Sequence, residues 1–172
     1  MLRLSLLAKY GGMWLDATFL CIGDLNHYFS LPIWSIKRPD YAHASVAGGN
    51  FAGYSLACNK DYRWVFKIIR DFFLHYWEEN DMMVDYLMVD YMIVLAQKCN
   101  KKVEEAFKLI EPNNKNCDEL YKVLGDTFES SKWNRIKEDT ILFKLTWKSE
   151  FPNLIEEKPT FFGKIIENSI ID

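Results

Sequence analysis

A single carboxylate interrupts an apolar and aromatic run near the start of the chain, at Asp16 within residues 13–22. A carboxylate buried without a partner is strongly destabilising, so this side chain needs either a partner or access to solvent. At the end of a strand it would lie at the rim of a sheet, where α/β proteins bind ligands. Its oxygens could then bind a hard cation such as Mg²⁺ or Mn²⁺, or a ribose hydroxyl. A structural carboxylate paired with an arginine or a backbone amide is the alternative.

Two further carboxylates, Asp85 and Asp90, interrupt an otherwise apolar segment over residues 82–96. The apolar pattern predicts a buried helix from Met82 to about Lys98. At 100° per residue the two carboxylates would lie about 140° apart around the helix, so only one is expected to face a cleft. Asp85 lies near the expected helix start, where the helix dipole favours an anion. Either could act as a base, and a structural role for both stays open.

Weaker candidates lie in the middle and near the end of the chain. Asn50 follows Gly48 and Gly49, whose missing side chains would allow close approach to a ligand, although such a pair is more often only a turn. Lys144 could neutralise a phosphate, and Trp147 could stack on a sugar or a base. Solvent-facing lysines on an edge strand are the commoner explanation for Lys144.

These candidates need helices and strands to position them. The pattern predicts a short helix over Leu2–Tyr10 that ends at Gly11 or Gly12, followed by one buried strand over Met13–Ile22. A longer helix, capped by Asn59 or Asp61, is expected to run to about Glu79. The other expected elements are β segments over 29–37 and 49–58, helices near 102–110, 118–124 and 128–135, a strand over 140–148, and a terminal helix within 156–172.

Composition and charge limit the class of protein. Hydrophobic residues make up 49% of the 172 residues and aromatic residues 16%, which indicates one folded domain rather than a disordered chain. The net charge of −3, with no dominant basic patch, argues against a nucleic-acid partner. The four cysteines are scattered and stand apart from His27, His43 and His75, so zinc has little support. Reduced thiols in a cytoplasmic protein are expected, and no apolar run approaches the roughly 20 residues that span a bilayer.

Taken together, LRLSLL at residues 2–7 and KYGGMWLDAT at residues 9–18 resemble the capsular polysaccharide synthesis family of sugar-nucleotide glycosyltransferases, relatives of the D-x-D enzymes with a GT-A fold. The later segments GGNFAGYSLACNKDY, YWEENDMMVDYLMVDYMI and LFKLTWK resemble the same family in the same order. The resemblance covers most of the chain. It implies an α/β, GT-A-like fold related to the Rossmann fold, with a helical C-terminal half and one domain over residues 1–172.

The resemblance also implies roles for individual residues. Asp16 matches the first acidic position of the D-x-D motif and would bind the donor diphosphate and a Mn²⁺ or Mg²⁺ ion. Asp85, with Tyr86, resembles the acidic residue on a helix that approaches the donor sugar or the reacting centre. Arg3 would contact the donor, because a guanidinium suits phosphate oxygens and sugar hydroxyls. The remaining residues expected at the donor site are Gly12, Trp14, Asn50 and Lys144.

Two departures from the family pattern affect these expectations. Thr18 occupies the second acidic position of the motif, which leaves metal dependence open because a hydroxyl is a poorer metal ligand than a carboxylate. The family's nucleotide-cradling βαβ portion should precede the first helix. The chain is therefore expected to be the C-terminal portion of a GT-A enzyme that lacks its N-terminal part, or an incomplete relative.

The functional prediction is a hexosyltransferase that moves a hexose from a nucleoside-diphosphate sugar to a capsular or surface polysaccharide. It is expected at the inner face of the membrane, in peripheral association with a membrane-bound polysaccharide synthesis complex. The alternative is a non-catalytic module that acts in assembly or in glycan binding. In that reading Trp14, Trp34 or Trp147 would provide stacking platforms for sugars.

Overall fold

The computed structural model describes residues 1–39, 45–168 and 170. The chain is mixed α/β, with 44% helix and small sheets. It divides into two compact units, one made of residues 1–16 and 25–112 and the other of residues 17–24 and 113–172. The single domain and the GT-A-like fold stay predictions. His43 lies outside the described residues.

The helices and strands are short and alternate irregularly along the chain. The strands are β1 (Gly12–Leu15), β2 (Phe19–Cys21), β3 (Ile33–Ser35), β4 (Ser55–Cys58), β5 (Leu142–Lys144), β6 (Leu154–Ile155) and β7 (Lys158–Pro159). The helices are α1 (Leu2–Tyr10), α2 (Asn26–Ser30), α3 (Arg63–Glu79), α4 (Met88–Cys99), α5 (Lys101–Lys108), α6 (Glu119–Lys122), α7 (Ser130–Ile136) and α8 (Phe161–Ile166). Within the described ranges, no helix is both long and apolar enough to cross a membrane.

A three-stranded antiparallel sheet of order β1-β4-β3 lies in the first unit. Gly12 of β1 pairs with Cys58 of β4, and Leu15 pairs with Ser55. The backbone amide of Asp16 donates to the carbonyl of Tyr54, at 3.0 Å, which continues the pairing one residue beyond β1. Asp16 is therefore anchored at the edge of the sheet where β1 ends and β4 begins.

The core of the first unit combines α1, α3, α4, α5 and the three-stranded sheet. Helix α3 buries Val65, Phe66, Ile69 and Phe73, a spacing that places the four side chains on one helical face. Helix α1 contributes Leu4, which is fully buried in the same apolar cluster. The predictions of helices over 2–10 and up to Glu79 are confirmed. This packing holds α1, and with it Arg3, against the rest of the unit.

The second unit has its own apolar cluster, which includes Leu120, Trp133, Phe143 and Phe161. Strands β2 and β5 pair antiparallel, as do β6 and β7. Two of the expected short helices correspond to α6 and α7, and the expected helix near residues 102–110 corresponds to α5 of the first unit. The late strand is shorter than expected, because only Leu142–Lys144 of residues 140–148 form a strand.

Two expectations for the site-bearing elements are wrong. The single strand expected over Met13–Ile22 is broken by a turn after Leu15, and its two parts, β1 and β2, belong to different sheets. The helix expected from Met82 begins only at Met88, and residues 82–87 are exposed. A local hydrogen bond explains the late start: Asp85 Oδ1 accepts from the amide of Leu87, a turn that competes with helical hydrogen bonding.

Candidate functional site

Arg3 and Asp16 form an ion pair at the end of β1. Arg3 Nη2 lies 3.5 Å from Asp16 Oδ1, and the side chains are 25% and 31% exposed. Helix α1 carries Arg3, and Gly11 and Gly12 make the sharp turn into β1 with φ values of +70° and +82°, a backbone region that favours glycine. Because both groups keep access to solvent, the pair can bind a ligand.

Trp14 fixes the orientation of this pair. Its Nε1 donates to Asp16 Oδ1 at 3.0 Å, and the Arg3 guanidinium carbon lies 5.4 Å from the centroid of the indole ring. The indole therefore contacts both charged groups, as a hydrogen-bond donor to one and a cation–π partner to the other. Trp14 thus acts as a rigid support for Arg3 and Asp16.

Arg3 is also bound to the turn that precedes β4, where its Nη1 donates to the carbonyl of Gly53. Asp90 of α4 packs against the same glycine so closely that a methyl group at Gly53 would overlap Asp90 Oδ1. That oxygen is buried and has no hydrogen-bond partner among the described residues. Gly53 therefore lies between the guanidinium and the carboxyl of Asp90.

Asp90 has a partly buried carboxyl. Burial raises the pKa of this carboxyl above the usual 3.8, and the Asp16 charge raises it further. The Arg3 charge and a hydrogen bond from the Gly53 amide lower the pKa, but by less. A larger fraction of Asp90 is therefore neutral at a given pH than for an exposed carboxylate.

Asp85 and Tyr86 lie on the exposed segment before α4. Asp85 Oδ1 accepts from the amide of Leu87 at 2.6 Å, and Tyr86 is 88% exposed. The structure thus brings Asp90, rather than Asp85, near Arg3 and Asp16. The position at which α4 begins decides which of the two carboxylates faces inward. The sequence could have identified Asp90 only if that position had been predicted correctly. The catalytic role expected of Asp85 stays a prediction.

The other residues expected at the donor site lie in different places. Gly12 is at the opposite end of β1 from Asp16 and lines a cavity of about 540 Å³. Asn50 lines a second cavity, of about 590 Å³, together with Gln97 and Lys98. The donor-binding roles of Gly12 and Asn50 therefore stay predictions.

Lys144 and Thr18 belong to the second unit, where they interact with each other. Lys144 Nζ donates to Thr18 Oγ1 and lies 5.3 Å from the centroid of the Phe19 ring. Thr18 is the residue that the expected D-x-D motif would place at its second acidic position. The Lys144 ammonium bound to the Thr18 hydroxyl disfavours a metal ion at that hydroxyl, because the ammonium and the metal ion would repel each other.

The Mn²⁺ or Mg²⁺ ion expected at Asp16 stays a prediction. The structure has no cluster of three or more histidine, cysteine, aspartate or glutamate side chains that could hold a metal ion in the ranges it describes. Asp16 Oδ1, the expected ligand atom, already lies beside the Trp14 indole N–H and the Arg3 guanidinium. The guanidinium provides the positive charge at this position.

Comparison with protein-family models finds a match over most of the chain. The family model described as capsular polysaccharide synthesis protein matches residues 1–165. No curated protein and no solved structure matches the chain. The matched range contains Arg3, Asp16 and Asp90.

Proposed function

The chain belongs to the capsular polysaccharide synthesis protein family, and on that premise we propose that it acts as a glycosyltransferase. It would move a hexose from a nucleoside-diphosphate sugar to a capsular or surface polysaccharide. The observation that carries this proposal is the partly exposed Arg3–Asp16 pair at the end of β1. We also propose a GT-A-like fold and peripheral contact with a membrane-bound synthesis complex.

Arg3 has the chemistry needed to bind the donor diphosphate. Its planar guanidinium can donate two parallel hydrogen bonds to phosphate oxygens. When the bond between the sugar and the diphosphate breaks, negative charge grows on the leaving group, and a fixed cation stabilises that charge. The carbonyl of Gly53 and the carboxylate of Asp16 hold the guanidinium in place, so little reorganisation is needed during the reaction.

Asp16 would position the sugar or the ribose. A carboxylate accepts hydrogen bonds from hydroxyl groups, and the Trp14 indole N–H at 3.0 Å fixes the orientation of this one. The Asp16 carboxylate is the acceptor that we assign to the hydroxyl groups of the donor. Catalysis in this proposal comes from orientation of the donor and the acceptor together with stabilisation of the leaving diphosphate.

Asp90 would adjust the charge of the site. Two fully ionised carboxylates beside one guanidinium would repel an incoming diphosphate. Burial raises the pKa of Asp90, and wherever its carboxyl is protonated, more of the Arg3 charge is left for the donor. Asp90 is therefore proposed as a positioning residue rather than as a catalytic one.

Calorimetry with uridine- and guanosine-diphosphate sugars, with and without Mn²⁺, tests the proposal. We expect binding to the wild type and at least tenfold weaker binding to Asp16→Asn and Arg3→Met. Asp71→Asn is the matched control, because Asp71 is an exposed carboxylate of α3 paired with Arg70, and it should bind as the wild type does. Unchanged binding and turnover in Asp16→Asn would remove Asp16 from the donor site.

A non-catalytic module is the second candidate function, favoured by the exposed apolar residues before α4. Met82, Val84 and Tyr86 are 74%, 72% and 88% exposed, a surface that suits contact with another protein. Absence of donor binding by the folded wild type, with and without Mn²⁺, would support this candidate over the transferase.

A further inference from the structure

We propose that the cavity beside the start of β1 is a binding site for a saccharide chain, separate from the Arg3–Asp16 pair. This Tyr10–Phe29 cavity has a volume of about 540 Å³, and its lining includes Tyr10, Gly12, Phe29, Lys60 and Asp61. The volume lies in the range of small-ligand sites, about 300–1,000 Å³. Identification of the natural ligand as the acceptor polysaccharide rests on the proposed function, whereas saccharide binding itself does not.

Two exposed aromatic rings supply apolar contact surface at this cavity. Tyr10, at the end of α1, is 61% exposed, and Phe29 of α2 is 46% exposed. An exposed ring gains free energy when an apolar surface covers it, and the C–H faces of a hexose ring provide such a surface. Lys9 Nζ lies 5.0 Å from the centroid of the Tyr10 ring, which adds a hydrogen-bond donor beside that ring.

A charged hydrogen-bond donor and a charged acceptor are both available at the rim of the cavity. The Lys60 ammonium and the Asp61 carboxylate have no hydrogen bond or ion pair with any residue that the structure describes. Sugar hydroxyls both donate and accept hydrogen bonds, so a carboxylate beside an ammonium matches them. Lys9, beside the Tyr10 ring, adds a second ammonium, so a phosphate-bearing competitor belongs in the test.

The floor of the cavity is open because Gly12 has no side chain. With φ of +82°, Gly12 occupies a conformation that other residues rarely adopt, and a Cβ at this position would meet nothing within 4 Å. Cys58 also lines the cavity, and burial raises the pKa of its thiol to about 12. The thiol therefore stays protonated, and the cavity is suited to binding rather than to nucleophilic chemistry.

A saccharide fits this cavity better than a nucleotide base does. Recognition of a base edge commonly uses an amide side chain that both donates and accepts. The amide at this rim is Asn59, whose Oδ1 accepts from the backbone amides of Asp61 and Tyr62 and whose Nδ2 donates to the carbonyl of Ser30. Asn59 is thus committed to the fold, and the groups left for a ligand are the two aromatic rings, the ammonium groups of Lys9 and Lys60, and the Asp61 carboxylate.

The cavity is distant from the proposed donor site. Gly12 begins β1, and Asp16 follows its last residue, so four residues of extended chain place the two backbone positions roughly 13 Å apart. A saccharide of a few hexoses could therefore occupy the cavity while a diphosphate is bound by Arg3. Binding at the two sites is expected to be non-competitive.

Saturation-transfer NMR with two probes, maltotriose and trigalacturonate, tests this inference. We expect transfer to at least one trisaccharide, and at least fivefold weaker binding in a Tyr10→Ala/Phe29→Ala double variant and in Lys60→Met. Tyr91→Ala and Lys67→Ala are matched controls, since Tyr91 is 47% exposed on α4 and Lys67 is exposed on α3. Both controls should bind as the wild type does.

The outcomes separate this proposal from the transferase proposal. Saccharide binding that survives in Arg3→Met and is not displaced by uridine diphosphate supports a separate site, whether or not the chain binds a donor. Absence of transfer to both trisaccharides, or equal binding by Lys60→Met and the wild type, overturns it. If uridine monophosphate displaced the trisaccharide, and if its binding were lost in the Tyr10→Ala/Phe29→Ala variant, the cavity would be assigned to a nucleotide instead.

Discussion

Arg3 Nη2 lies 3.5 Å from Asp16 Oδ1, across the turn that two glycines make between α1 and β1. A partly exposed ion pair of this kind adds only about 0–1 kcal/mol to stability. Yet Trp14 and the carbonyl of Gly53 both hold the pair in a fixed geometry. A cation fixed in position at a sheet edge contributes little to folding but can bind an anionic ligand.

Arg3→Lys should separate binding from stability. Lysine keeps the positive charge but loses the planar fork that binds two oxygens at once. We expect donor diphosphate binding at least tenfold weaker by calorimetry, with a change of no more than about 1 kcal/mol in the free energy of unfolding. Arg70→Lys on α3, whose guanidinium pairs with Asp71 at the surface, is the control. Equal donor binding by Arg3→Lys and the wild type would contradict a bidentate contact.

Asp90→Asn should change how stability depends on pH. The pKa of Asp90 is raised in the folded protein, so the folded state binds this proton more tightly than the unfolded state does. The contribution of Asp90 to the free energy of unfolding therefore falls as the pH rises above the usual 3.8. Asparagine carries no charge, so the variant should gain stability relative to the wild type as the pH rises above the usual pKa of 3.8.

Urea unfolding across that range measures the effect. Besides Asp90, the charged groups that act on this carboxyl are Arg3 and Asp16, and both are present in the variant. Asp71→Asn serves as the exposed control and should follow the wild type. A stability difference between Asp90→Asn and the wild type that is the same at every pH would show that burial does not perturb this carboxyl.

Gly53→Ala should disturb both Asp90 and Arg3. The φ of Gly53 is not positive, so the requirement for glycine here is one of space: a methyl group would overlap Asp90 Oδ1. We expect destabilisation of about 1–3 kcal/mol, the usual range for overpacking. Donor binding should weaken as well, because the Gly53 carbonyl accepts from Arg3.

A double-mutant cycle isolates the cause. In an Asp90→Ala background the overlapping oxygen is absent, so Gly53→Ala should cost less there, with a coupling energy of about 0.5–3 kcal/mol. Chemical denaturation of the four proteins measures it. Additive effects would mean that the two residues do not meet as the structure describes.

The sequence predicted the parts of the fold that depend on local pattern. Helix α3 has its apolar residues at helical spacing, and α1 ends at a glycine pair, so both could be predicted from a short window of residues. The break after Leu15 could not, because the run from Met13 to Ile22 is equally apolar on both sides of Asp16. Its position depends on distant partners, since β1 pairs with β4 and β2 pairs with β5.

The candidate site was predictable to a similar degree. The ion pair between Arg3 and Asp16 follows from a helix, two glycines and a strand that are adjacent in sequence. Asp90 could not be distinguished from Asp85, because the choice depends on where α4 begins. A single hydrogen bond from the Leu87 amide to the Asp85 side chain accompanies the start of α4 at Met88. The periodicity of the sequence does not reveal this hydrogen bond.

Asn114 should be the most sensitive polar residue of the second unit. It is 1% exposed, and its Oδ1 accepts from the backbone amides of Ile141 and Leu142 at 2.9 and 3.0 Å, where β5 begins. Asn114→Ala removes the acceptor of both amides. Each amide that is left buried and unpaired should lower the free energy of unfolding by about 1–3 kcal/mol. Denaturant unfolding and faster hydrogen exchange at these two amides would report the loss.

Two further variants distinguish the hydrogen bonds from backbone strain. Asn114 has φ of +48°, a value that glycine tolerates and alanine does not. Asn114→Gly should therefore be less destabilised than Asn114→Ala, yet should show the same fast exchange, because it also lacks the acceptor. Asn114→Asp keeps an acceptor oxygen and should retain slow exchange at both amides. If Asn114→Gly exchanged as slowly as the wild type, the side-chain hydrogen bonds would not be what orders the start of β5, and backbone conformation alone would account for the residue.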